Sequence, residues 1–107
     1  MFGLLKKSKH KNIDSATFRE LMSQPDVQIL DVRTPAEVFA GAIPNHLNIN
    51  LMSFDFTNKV KALDRDKTYL VYCRSGARSA RACKKMSKIG FENLYNLSGG
   101  IIGWNNA

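Results

Sequence analysis

Thr68-Tyr69-Leu70-Val71-Tyr72-Cys73-Arg74-Ser75-Gly76-Ala77-Arg78-Ser79 is the stretch that decides the fold. Its first five residues are mostly β-branched or aromatic, the composition of a buried strand. From Ser79 to Ile89 the residues Ala82, Cys83, Met86 and Ile89 fall on one helical stripe, and Gly90 suits the left-handed position after the last turn. A strand therefore ends at Tyr72, six residues turn, and a helix begins. That unit belongs to open α/β sheets, which bind ligands at the carboxyl ends of their strands.

The same alternation extends in both directions. A short strand near Ile13 leads to Asp14-Ser15, either of which can cap a helix carrying Phe18, Leu21 and Met22, and Pro25 stops that helix. Val27-Gln28-Ile29-Leu30 reads as a strand ending at Asp31. Thr34-Pro35-Ala36-Glu37 is a helix start, with Thr34 as cap, Pro35 at the first position and Glu37 reaching back to the cap N–H. Leu47 to Leu51 reads as a strand. Ser53 is expected to cap a helix with Phe56, Val60 and Leu63 on one face. A last strand near Leu94–Leu97 precedes Ser98-Gly99-Gly100, after which Ile101, Ile102 and Trp104 are expected to pack a final turn onto the body. The result is an α/β domain with a central parallel sheet of about five strands and helices on both faces. Residues 12–107 form this single domain and residues 1–11 a basic tail.

With 107 residues there is room for one core. No apolar run approaches the roughly 20 residues of a membrane span. Met1-Phe2-Gly3-Leu4-Leu5 is too short for a signal-peptide core, so the expectation is a cytoplasmic chain. The net charge is +7, and no acid falls between Asp66 and Glu92, where Lys67, Arg74, Arg78, Arg81, Lys84, Lys85 and Lys88 stand. Lys6, Lys7, Lys9 and Lys11 read as a solvated end, with contact to an anionic surface as the alternative. Nucleic-acid binding is not expected, because no aromatic residue interleaves the charges of 81–88. Two cysteines do not make a disulfide scaffold, and neither His10 nor His46 joins them at metal-ligand spacing. No metal and no cofactor is expected.

Cys73 is the candidate nucleophile. A turn entering a helix presents free backbone N–H groups, and Gly76 can take the positive φ such a loop needs, while Ala77 and Ser79 keep its walls small. A thiol there, with Arg74 and Arg78 adjacent, is driven towards thiolate, and the same N–H groups can hold a second, negatively charged sulfur. Cys83 lies on the apolar stripe and reads as packing.

These segments resemble the rhodanese family from about Ile13 to Trp104. The likeness is carried by Leu30-Asp31-Val32-Arg33-Thr34-Pro35-Ala36-Glu37, by the loop from Cys73 to Arg78, and by Leu97-Ser98-Gly99-Gly100-Ile101 with Trp104. The resemblance implies a rhodanese-type fold, a sulfane sulfur carried on Cys73, and a cradle formed by Arg74, Ser75, Gly76, Ala77, Arg78 and Ser79. Arg74 and Arg78 would then bind anionic donors such as thiosulfate, and Asp31, Arg33 and Glu37 would support the loop. One departure stands out: Ala42 occupies the place where the family often has histidine, and His46 follows four residues later.

The expected function is sulfur transfer from thiosulfate or a persulfide to a thiol or cyanide. A relay module that passes sulfur to an acidic protein acceptor is a rival. So is a cysteine phosphatase or arsenate reductase, though those enzymes commonly place five residues between Cys and Arg and this loop places four.

Overall fold

The computed structural model describes residues 9–106. Five strands run parallel in the order β1-β5-β4-β2-β3: β1 (Lys11–Ile13), β2 (Val27–Asp31), β3 (His46–Asn48), β4 (Thr68–Tyr72) and β5 (Leu94–Leu97). Between and after them lie α1 (Ser15–Leu21), α2 (Pro35–Phe39), α3 (Phe56–Lys61), α4 (Ala77–Lys88) and α5 (Gly100–Asn105). Successive residues of a strand face opposite ways, so β4 contributes to two cores. Tyr69, Val71 and Cys73 pack with Val60 of α3 and with Ala82, Cys83 and Met86 of α4. Leu70 and Tyr72 pack on the other face with Phe18 of α1 and Ile101 of α5. This is the α/β architecture expected, and β4 at its centre delivers Cys73 to the carboxyl edge of the sheet.

Local chemistry sets the element ends. Asp14 caps α1 by accepting the Thr17 N–H at 2.8 Å. Thr34 and Glu37 form the reciprocal capping box, with Pro35 opening α2. Gly90 takes φ +107° after α4.

Several details differ from expectation. The regular strand after α2 is His46–Asn48, not Leu47 to Leu51: β2 ends at Asp31, whose carbonyl takes the Ile49 N–H, and Leu51 bonds to the Val32 carbonyl beyond that end. Ser53 does not cap α3: its hydroxyl donates to the Asp55 carboxylate, and the helix opens at Phe56 with no side-chain cap. α4 starts two residues early, at Ala77, since Gly76 at φ +108° completes the turn by itself. Ile102 is exposed, whereas Ile101 is buried and Trp104 packs on Phe18. At the other end, Lys11 is the first residue of β1, paired with Tyr95, while Lys6 and Lys7 lie outside the described residues. Among the described residues no helix is long and apolar enough to cross a membrane.

Candidate active site

Cys73 is the first residue beyond β4 and is 1% exposed. Gly76 then turns the chain back, so that the loop's backbone donors converge on the sulfur before α4 takes them up. The Gly76 N–H donates to Cys73 Sγ at 3.1 Å, and the buried Ser79 hydroxyl lies 3.3 Å from the same atom. Burial works against ionisation. The Ser79 hydroxyl and the backbone N–H groups of Ser79, Gly76 and Ser75 outweigh it, holding the thiol below its ordinary value. The loop thus favours an anionic sulfur within an apolar surround.

The two arginines of the loop have different surroundings. Arg78, in the first turn of α4, is held by Glu37 of α2 in a forked pair with both N···O distances 2.7 Å. That guanidinium lowers the Glu37 carboxyl to about 2. Its charge still reaches Cys73, but its hydrogen bonds are directed at Glu37. Arg74 is exposed on the loop and makes no ion pair among the described residues. Ser75 and Ala77 are exposed at the rim.

Asp31 and Arg33 brace the neighbouring loop. Arg33 Nε and Nη2 donate to the Asp31 carboxylate at 3.0 and 2.7 Å, and Nη2 also reaches the Gly41 carbonyl at 2.7 Å. Nη1 holds the Glu37 carbonyl at 3.3 Å, so the residue that engages Arg78 is itself anchored to Arg33. A cavity of about 240 Å³ opens here, lined by Arg33, Glu37, Gly41, Arg74, Ile101 and Ile102. His46 is not at this edge. Its strand register is with Ile29, which pairs with Leu70, three residues before Cys73, and its Nδ1 contacts the Ile43 carbonyl at 2.9 Å.

A supporting element that the residue-by-residue reading left without a role is the Gly99-Gly100 pair. The Ile101 N–H donates to the Cys73 carbonyl at 2.9 Å and the Ile102 N–H to the Arg74 carbonyl at 3.2 Å, so the start of α5 holds the loop from behind. A Cβ on Gly100 would overlap the Arg74 carbonyl and lie 2.6 Å from Ser75 N, and its φ is +59°. The doubled glycine was the available signal. Trp104 fixes the far end of α5, meeting Phe18 edge-to-face at 5.3 Å with the Arg19 guanidinium over its ring at 3.7 Å.

Cys83 sits in mid-helix in the same apolar cluster as Cys73, and burial pushes its thiol up to about 12. Both cysteines are free.

Known proteins share the sequence and the fold. The family model described as Rhodanese-like domain matches residues 14–107. A protein of Allochromatium vinosum named Sulfurtransferase is 38% identical, over 86% of this chain and 85% of its own length. A tRNA uridine(34) hydroxylase of Cytophaga hutchinsonii is 36% identical over 90% of this chain, but the match spans only 32% of that protein. Among solved structures, a rhodanese-related protein from Thermoplasma volcanium superposes with a TM-score of 0.80 at 36% identity, covering 90% of this chain and 91% of that one.

Proposed function

The chain belongs to the rhodanese family, and from that premise we propose that it is a sulfurtransferase carrying sulfane sulfur as a Cys73 persulfide. The observation that carries this reading is the convergence of the Gly76 N–H, at 3.1 Å, and the Ser79 hydroxyl, at 3.3 Å, on Cys73 Sγ. The thiolate attacks the outer sulfur of thiosulfate. A new S–S bond forms on Cys73, the old one breaks, and sulfite leaves with its electron pair. The persulfide's terminal sulfur carries the negative charge and takes over the N–H donors. Cyanide or a thiolate then attacks that sulfur, leaving as thiocyanate or a new persulfide and returning the Cys73 thiolate.

The role of Arg74 and Arg78 follows from their different partners. Arg74 stands beside the cavity with no ion pair among the described residues and is proposed as the contact for an anionic donor. Arg78 contributes field from a position held by Glu37. A phosphatase or arsenate reductase would need a wider ring of N–H groups around a tetrahedral oxyanion and a guanidinium turned into it. Here four residues separate Cys73 from Arg78, and Arg78 is engaged elsewhere.

The test is intact mass after incubation with thiosulfate. The wild type should gain about 32 Da, lose it to cyanide, and Cys73→Ser should gain nothing. Loading by a protein persulfide but not by thiosulfate would favour a relay. One observation supports that second reading: Arg81, Lys84, Lys85 and Lys88 are exposed on α4 without an ion pair among the described residues. An acidic protein acceptor docking there would make transfer salt-sensitive.

A further inference from the structure

Asn96 is a polar residue in the middle of the buried strand β5, 4% exposed, and the proposed chemistry does not use it. Its Nδ2 donates to Asn12 Oδ1 at 3.0 Å and to the Gly76 carbonyl at 3.3 Å. Its Oδ1 is buried with no hydrogen-bond partner among the described residues. The orientation of the amide is forced, because the Gly76 carbonyl can only accept. A buried acceptor left empty is costly, so Asn96 is a poor choice for packing alone.

The Gly76 carbonyl has a second feature. It is approached by three donors: the Ala80 N–H at 3.1 Å, the Ser79 hydroxyl at 3.2 Å and Asn96 Nδ2 at 3.3 Å. A carbonyl oxygen has two lone pairs, and the Ser79 hydroxyl has one proton to share between this carbonyl and Cys73 Sγ. With Ala80 and Asn96 in place, both lone pairs are taken.

We propose that Asn96 is a positioning residue: by occupying the Gly76 carbonyl it commits the single Ser79 proton to Cys73 Sγ. It acts only through Ser79 and touches neither the sulfur nor a substrate. The orphaned Oδ1 is then the by-product of an amide kept for its Nδ2. Without that amide the Ser79 hydroxyl turns to the carbonyl, and the sulfur anion loses its nearest side-chain donor.

This inference rests on Cys73 being the reactive thiol, and its test reads that thiol without any sulfur transfer. The rate of Cys73 alkylation by iodoacetamide is followed against pH in the wild type, Asn96→Leu, Ser79→Ala and the double variant, with the labelled cysteine assigned by mass. Asn96→Leu should raise the midpoint and slow alkylation at pH 7 by about tenfold, the size of one hydrogen bond to a charged acceptor. Ser79→Ala should do the same, and the double variant should be no slower than either. Asn96→Ala, which removes the amide without adding apolar bulk, should match Asn96→Leu, and thermal melts establish that each variant is folded. A folded Asn96→Leu or Asn96→Ala with the wild-type midpoint would overturn the proposal. So would an additive loss in the double variant, since Asn96 would then act by a route other than Ser79. Failure of thiosulfate to load the wild type bears on the sulfurtransferase reading and leaves this cycle interpretable.

Discussion

Cys73 and Cys83 stand ten residues apart, equally hidden, in one apolar cluster against one helix, and their thiols are driven in opposite directions. Cys83 lies in mid-helix, where the backbone N–H groups are spent on the helix itself, so burial, with the charge of Cys73 added, raises its thiol to about 12. Cys73 lies just before α4, where the N–H groups have no helical carbonyl to bond, and they reach its sulfur instead. Burial is common to both sites. The difference is the supply of unspent donors, which the loop and the first turn of a helix offer and its middle does not.

The largest effect that could break this comparison is in reactivity. At pH 8 a neutral alkylating agent should modify Cys73 on the order of a thousandfold faster than Cys83, because a thiol near 12 holds almost no thiolate. Comparable labelling in the folded protein would show that the donors do not discriminate. The raised Cys83 thiol also has a thermodynamic sign. Its stabilisation is fully present below the unfolded value near 9 and is lost as pH rises from there towards 12. Denaturant midpoints of wild type and Cys83→Ala should therefore converge over that range.

Next comes the support behind the loop. Gly100→Ala forces a Cβ into the Arg74 carbonyl and a residue with a side chain into positive φ. It should cost about 3 kcal/mol, seen as a drop in melting temperature of at least 10 °C, and abolish persulfide loading. Gly76→Ala is the milder counterpart, since a Cβ there meets only ordinary contacts, the Leu97 carbonyl at 3.4 Å being the nearest. Strain at φ +108° costs about 1–2 kcal/mol, and activity should fall much more than stability because the displaced N–H is the one at 3.1 Å from the sulfur. Equal losses in both would assign the glycine a purely structural role. The smallest effect belongs to Glu37→Gln. It leaves a capping side chain on α2 but discharges the partner of Arg78, so KM for thiosulfate should fall about threefold with little change in melting temperature. Because Arg78 lowers the Glu37 carboxyl to about 2, the wild-type pair is intact above the usual carboxylate range and weakens only as pH falls from about 4.5 towards 2.

What could be read from the sequence divides along a physical line. Elements specified by neighbours in the chain were legible: the capping box at Thr34–Glu37, the Asp14 cap, the apolar stripe of α4 and the β-rich run of Thr68–Tyr72. Cys73 was legible as a candidate for the same reason, being defined by the strand before it and the glycine after it. Arrangements settled by contact across the molecule were not. Arg78 is turned by Glu37, 41 residues away, and Gly100 is required by a carbonyl 26 residues earlier. Asn96 meets Gly76 only because β5 lies beside β4. Ser53 misled in a local way: the helix opens after Asp55 rather than after Ser53, and the Ser53 hydroxyl donates to the Asp55 carboxylate instead of accepting a helix N–H.

The sheet's borders carry a consequence of their own. Both edge strands, β1 and β3, are only three residues long. An uncovered edge is a template for another chain, and its hazard grows with the length of the unpaired backbone row. Here the row is too short to seat a stable foreign strand, and β1 begins with a lysine. For the sulfur transfer proposed above, edges this short keep the backbone out of encounters with donor and acceptor, which are left to side chains and sulfur.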